Sequence, residues 1–471
     1  TYTVTMHNHL ETYINDSHGA EDNWVLQEVT DDQLTYNHHF YCDDFADGPA
    51  DATHVGTLAV QTTWSANNGW VEGHLHAEES WDAWNHMPAD VDVVRLATGV
   101  GVYCVETDKE FIDFSGAALA ITVFKKKAGK DEYDGEYIAR TNKFNVYSDN
   151  GYLDNARQRV YFTLDNDNGA YVQISLADPV KASKYKVRVF RARPVILVHG
   201  IECYPKSAAR DLPLGRNAMG HWNDYLPWDA LAYPCVCTNL CWDSKVQDLT
   251  STGAGVLGTI LTMVNDEENT HKMPVVLIGH SMGGYFVRLA LSKAPTYLKI
   301  HKAVTLGTPH FGSDVANCIP IGGAAVWFKQ TSRANLFALQ RGSAFVWAMR
   351  EWGGLDKLLC MAGAGAPPRI ASGKYVRGLG ESDGVVPVSS GLLIGAAQNT
   401  AIRIADHGTI ALATYVPRSC YPYDTSPAGF VGVSWERVFG NDQNAQRLPA
   451  HVVLGDADFS RIYRPVREYI K

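Results

Sequence analysis

Gly279-His280-Ser281-Met282-Gly283 sets a serine in the pattern G-x-S-x-G, where the apolar run "VVLIG" passes into the helix-like "GYFVRLAL". A serine hydroxyl is a poor nucleophile near neutral pH. It needs a neighbouring base, itself oriented by a carboxylate. At a sharp strand-to-helix bend the serine is lifted out of the backbone and glycines two residues either side avoid collision, while the next amide, that of Met282, can donate to a developing oxyanion. In this class of elbow the partners follow in the order Ser, acid, His.

Two downstream loops fit that order. Asp383 opens the turn in "GESDGVVPVSSG", after the strand-like "KYVRGL", and His407 follows the short strand pattern Ala401–Ala405 in "IRIADHGTI". Glu381 and Asp406 are alternative acids. His310 in "GTPHFGS" precedes Asp383 and breaks the order, and His451 lies in a late strand-like segment. A second oxyanion donor is expected in "LVHGIEC", where Gly200 lets the chain turn and Ile201 supplies the amide. His199 and His280 then read as wall residues that hydrogen-bond within their loops.

These loops need a scaffold that brings them to one edge. From "RPVILVHG" onward the chain alternates strands and helices: Val195–Val198, a helical period from Leu249 to Val264, "PVVLIG", a helix stopped by Pro295, and "KAVTLGTP". That alternation predicts a parallel sheet with helices on both faces, and loops from its C-terminal edge converge on one site. Between "GTPHFGS" and "KYVRGLG" an insertion at about 313–370 carries Ile319, Ile321, Val326, Trp327 and Phe328, read as an acyl-pocket lining, a mobile lid, or plain packing on the sheet.

The first part of the chain has another rhythm. "VVRLATGVGVYCVE", "AALAITVF", "QRVYFTLDNDNGAYVQISLA" and "KYKVRVF" are β-branched and aromatic runs divided by Gly, Asn and Asp. They predict an all-β sandwich-like domain over 1–185, followed by the α/β domain over 186–471. "LDNDNGAYV" predicts a tight Asn-Gly hairpin and "FKKKAGK" a solvated hairpin tip.

Charge follows the same division. Residues 1–190 hold 30 acidic and 14 basic residues, against 21 and 27 in 191–471, within a net charge of -10. An acidic half repels phosphate backbones, so a nucleic-acid partner is excluded. With 46% hydrophobic and 20% charged residues the composition is that of a globular protein.

Nine of the 17 histidines precede residue 94, among them "HLH" at 74–76, but scattered histidines on an acidic surface are the commoner meaning of such a pattern. "CVCTNLC" at 235–241 lacks the paired C-x2-C spacing of zinc sites, and metal content is left unknown. No apolar run spans a bilayer. The start at Thr1 is read as processed, and with nine scattered cysteines the expectation is a secreted or cell-envelope protein. Aromatics such as Trp64 and Trp70 could touch a lipid or polymer surface.

Taken together, "VILVHGIE", "LIGHSMGGYFVRLAL", "AVTLGTPHFGS", "SDGVVPVSS" and "ADHGTI" resemble the α/β-hydrolase superfamily, and within it bacterial true lipases and GPI-inositol deacylase-like esterases, over residues 190–415. The resemblance implies a triad of Ser281, Asp383 and His407, oxyanion donors at Ile201 and Met282, and hydrolysis of carboxylic esters with apolar acyl groups through an acyl-enzyme. No cofactor is implied for that chemistry. The carboxylates of a structural Ca2+ site, carried by many bacterial lipases, have no clear motif here, and neither the acidic N-terminal half nor the tail from 416 belongs to the pattern. A polyester depolymerase or an acyltransferase would use the same triad. A silent binding module would ordinarily have lost one of the parts.

Overall fold

The computed structural model describes residues 57–65, 67–75, 79–80, 86–87, 91–111, 119–141, 146–147, 153–154, 157–176, 183–200, 219, 222, 226–240, 242, 244, 248–249, 255–313, 316, 332–363, 383, 386–402 and 457–471. The chain divides into two compact units, one of residues 1–61, 67–145 and 155–190, the other of 62–66, 146–154 and 191–471.

In the first unit the strands are β1 (Val60–Gln61), β2 (Val71–Leu75), β3 (Val91–Leu96), β4 (Gly101–Phe111), β5 (Leu119–Lys126), β6 (Tyr133–Arg140), β7 (Arg157–Leu164), β8 (Ala170–Leu176) and β9 (Ser183–Arg191). One sheet has the order β3-β8-β5-β6; the other runs β1-β9-β4-β7, with β2 also on β9. In β5 alternate residues are buried, as a two-residue side-chain period requires. Val94, Ile121, Val123, Val172 and Ile174 from the first sheet share one core with Tyr103, Val105, Phe162, Val187 and Val189 from the second. This is the expected sandwich. The "FKKKAGK" hairpin forms between β5 and β6. The Asn-Gly turn differs: β7 pairs with β4, while β8 pairs with β3 and β5. The turn therefore carries the chain from one sheet to the other, with Gly169 at φ 87.

The second sheet face of this unit buries charge. Glu106 accepts from Arg159 Nε at 2.7 Å and from Arg188 at 2.5 Å. The Arg188 guanidinium also lies over the rings of Trp70 at 3.9 Å and Phe190 at 4.8 Å. Burial alone would push the Glu106 carboxyl up, but the two arginines together hold it below the usual range.

The second unit is built on β10 (Arg193–Val198), β11 (Cys235–Leu240), α1 (Val256–His271), β12 (Val275–His280), α2 (Gly283–Lys293), β13 (Ile300–Leu306), α3 (Arg333–Ala338), α4 (Ala344–Ala348), β14 (Leu358–Gly363), α5 (Val388–Gly391), β15 (Gln398–Ile402) and α6 (Ala457–Ile470). The six strands are all parallel, in the order β11-β10-β12-β13-β14-β15. β10, β12 and β14 are buried at every position, as strands covered on both faces must be. Ile196, Val198, Val275 and Leu277 pack with α1 and α2 on one face. Val195, Leu197, Val276 and Ile278 pack with Ile462, Tyr463, Val466 and Ile470 of α6 on the other.

The helical period expected from Leu249 begins later, at Val256, and runs to His271, where Lys272 closes it in a left-handed turn. Leu249 stands outside it, and its N–H donates to Asn335 Oδ1 at 2.8 Å. Strand order reverses at β10, which lies between β11 and β12. In an open α/β sheet that reversal makes a crevice at the C-terminal edge.

Candidate active site

Ser281 follows β12 directly, on the crevice side. Its φ of 50 is in the left-handed region, which non-glycine residues rarely enter. The conformation is fixed at both ends: Ser281 N–H donates to Leu306 O at 2.9 Å, and Ser281 O accepts from Gly284 N at 3.1 Å. The helix then doubles back against the sheet, and a Cβ on Gly283 would strike the carbonyl oxygens of Val198 and His199. A Cβ on Gly200 would lie 2.7 Å from Ser281 Cβ, so the loop leaving β10 is pressed against the serine. Met282 is fully buried and stands at the N-cap of α2, where helix geometry leaves amides free of intrahelical partners.

The Gly200 side of the crevice is held by a side chain that sequence reasoning passed over. Trp242, just past the end of β11, donates from its backbone N–H to His199 Nε2 at 3.1 Å and from its indole Nε1 to His199 O at 2.8 Å. The two rings stack with centroids 5.7 Å apart. Because Nε2 accepts, the proton sits on Nδ1, which donates to Gly200 O at 3.0 Å. Burial drives the His199 pKa down to about 4, against the pull of those backbone bonds, so the ring is neutral. The signal in the sequence was position: "LCW" ends the strand beside β10. His280 is also buried in the wall of the elbow.

Asp383 is buried, and its Oδ1 accepts from Val386 N at 2.6 Å, closing the turn that the sequence placed there. The segment that follows is latched to the loop after β13. Phe311 N donates to Ser390 Oγ at 3.0 Å, Ser390 Oγ donates to Gly312 O at 2.6 Å, and His310 N donates to Ser390 O at 2.8 Å. His310 itself is buried, with Nε2 3.1 Å from Thr305 Oγ1, and burial followed by the nearby Arg288 charge holds its pKa well below the usual value. Its ring belongs to the interior of the loop. The structure thus brings Ser281, Met282, Gly200, His199 and His280 together and fixes the turn of Asp383. His407, Ile201, Trp327, Phe328, Glu381, Asp406, His451 and residues 314–315 and 317–331 of the insertion lie outside the described residues.

Residues 192–344 match the family described as "Putative serine esterase (DUF676)". The second unit has the expected α/β architecture, a parallel sheet with helices on both faces. The match covers the elbow serine, the Gly200 loop and the "GTPHFGS" segment. Among solved structures, the mature lipase BlEst2 of Bacillus licheniformis is 22% identical over 46% of this chain and 85% of its own, with a TM-score of 0.34. Phospholipase PlaB of Legionella pneumophila is 17% identical over 43% and 44%, with a TM-score of 0.31. Lipase B of Aspergillus fumigatus is 14% identical over 59% and 61%, with a TM-score of 0.33. No curated protein sequence matches the chain.

Among the described residues no group of three His, Cys, Asp or Glu side chains could hold a metal ion. No described helix is long and apolar enough to cross a membrane.

Proposed function

We propose that the hydrolase unit cleaves carboxylic esters of apolar acyl groups, with Ser281 as nucleophile, His407 as base and Asp383 orienting it. The observation that carries this reading is the strained serine between β12 and α2, wedged against Gly200 at the reversal of strand order. Ser281 Oγ attacks the ester carbonyl carbon as its proton passes to the imidazole. The C–O bond to the alcohol breaks and the alcohol leaves with that proton. Water then repeats the path: it gives a proton to the base, attacks the acyl-enzyme, and releases the acid and the free serine. In this reading the amides of Met282 and Ile201 would donate to the oxyanion, each worth ~3–4 kcal/mol by comparison with single-donor deletions. Support for Asp383 comes from its buried turn after β14, and for His407 from its place after β15, the next strand along the same edge.

Reaction with a fluorophosphonate probe tests the proposal. Stoichiometric labelling that disappears in Ser281→Ala is expected; folded wild-type protein that stays unlabelled would end it. Rates on p-nitrophenyl esters of increasing chain length then define the acyl preference.

A further inference from the structure

Residues 315–350 hold Lys329, Arg333, Arg341 and Arg350 and no Asp or Glu, in a chain whose net charge is -10. The second half of this stretch folds as α3 and α4, two short helices in mutual contact. Each is capped by a serine: Ser332 Oγ accepts from Asn335 N and Ser343 Oγ from Val346 N, both at 3.1 Å. Their inner side is apolar and joined to the catalytic unit. Leu336, Leu339, Val346 and Met349 are in its core, Phe345 meets Tyr285 of α2 edge-on at 5.2 Å, and Arg288 of α2 donates to Met349 O at 2.8 Å.

Their outer side exposes aromatics. Phe337 is 44% and Trp347 54% exposed. Each carries a guanidinium on its ring: Arg333 lies 5.3 Å from the Phe337 centroid and Arg350 3.6 Å from that of Trp347. A single exposed aromatic on a protein surface needs no explanation. Two of them, Phe337 beside Arg333 of α3 and Trp347 of α4 beside Arg350 in the turn that follows, in a stretch bounded by the acids Asp314 and Glu351, form a surface of definite chemistry. Indole and phenyl rings favour the boundary between acyl chains and headgroups, and arginines beside them reach lipid phosphate. Charge decides between kinds of bilayer, because an anionic surface attracts this stretch and repels the acidic remainder of the chain.

We propose that the outer face of α3 and α4 docks on an anionic phospholipid surface, with Phe337 and Trp347 inserted at the headgroup level and Arg333 and Arg350 on the phosphates. Because α4 is packed on α2, the helix that starts at the elbow, docking would hold the catalytic unit at the lipid surface as one rigid piece.

Co-sedimentation of the full chain, carrying Ser281→Ala so that the readout is independent of esterase activity, tests this with vesicles of phosphatidylcholine alone and of phosphatidylcholine with phosphatidylglycerol. Retention on the anionic vesicles is expected, and it should fall at about 0.5 M salt, where screening acts over a few ångströms. Arg333→Gln with Arg350→Gln should weaken it roughly 25-fold, at about fivefold per cation. Phe337→Ser with Trp347→Ser should weaken it about tenfold or more, while turnover of a short soluble ester by the same pair in the Ser281 background stays at the wild-type level. Equal retention on both vesicle types, or wild-type retention by both double variants, would overturn the proposal. No retention on either vesicle would overturn it too and would leave an acidic protein surface as the occupant.

Discussion

In the sandwich, a carboxylate and two guanidinium groups remain charged at full or near-full burial, Glu106 between Arg159 and Arg188; around the elbow of the second unit, His199 and His310 are buried as neutral rings. The backbone shows the same division. The sandwich enters the left-handed region only at glycines among the described residues, whereas the second unit places Ser281 there, together with the helix-ending Lys272. A buried ion network costs desolvation and gives back fixed partners, which suits a region whose task is to hold one register. At the elbow the buried rings of His199 and His310 shape hydrogen bonds as neutral groups, and the local strain falls on the proposed nucleophile.

That contrast can be broken at its strongest point first. Ser281→Ala should lower turnover by a factor on the order of 10^6 with the unfolding midpoint retained; turnover close to wild type would place the nucleophile elsewhere. Asp383→Asn keeps the shape of its turn and should cost about 10^4-fold in kcat, measured on a soluble ester. In the sandwich the effect should be on stability alone. Glu106→Ala strands two buried guanidinium groups and should cost about 3–5 kcal/mol in urea unfolding, whereas replacing Glu106, Arg159 and Arg188 together by apolar residues should recover most of that loss. A triple variant as unstable as the single one would mean that pairing is not what the network contributes.

Acid separates the two regions by window. The His199 pKa is about 4 in the folded chain and 6.5 when exposed, so the unfolded state takes up the proton first and stability falls as pH drops from about 6.5 towards about 4. The Glu106 pKa is depressed, so its contribution is present above the ordinary carboxylate range and is lost only at lower pH, as the folded carboxyl titrates. Denaturant unfolding as a function of pH reads both, and His199→Gln should reduce the slope in the upper window, leaving the share of His310 there and the lower window unchanged. The smallest effect is at the elbow itself. Ser281→Gly relieves the left-handed strain and should unfold about 1 kcal/mol harder than Ser281→Ala; equal stability would mean that the elbow stores no strain.

The elbow was legible because every part of it is local: apolar strand, G-x-S-x-G and helical period are consecutive in the chain. The alternation of strands and helices likewise predicted a parallel sheet with two covered faces. Contacts between distant segments were not legible. Asn168-Gly169 reads as a hairpin because a turn between sheets and a turn within one share the same local chemistry, and only the partners of β7 and β8 distinguish them. Trp242 was missed because its role depends on β11 lying next to β10, a neighbour relation set by topology. Nor does local periodicity show that the Leu249 amide is taken by Asn335, far away in the chain.

The placement of α6 has a bearing on synthesis. The sheet face formed by Val304, Leu306, Leu359 and Met361 is covered by a helix encoded far downstream of β15. While the ribosome is still working through the residues between them, the part of this face that α6 covers would lack that cover, with only upstream residues such as Met219, Trp222 and Leu226 packed beside it. Final closure of this half must therefore await the arrival of α6, and until then the nascent polypeptide is open to wrong partners or in need of a chaperone.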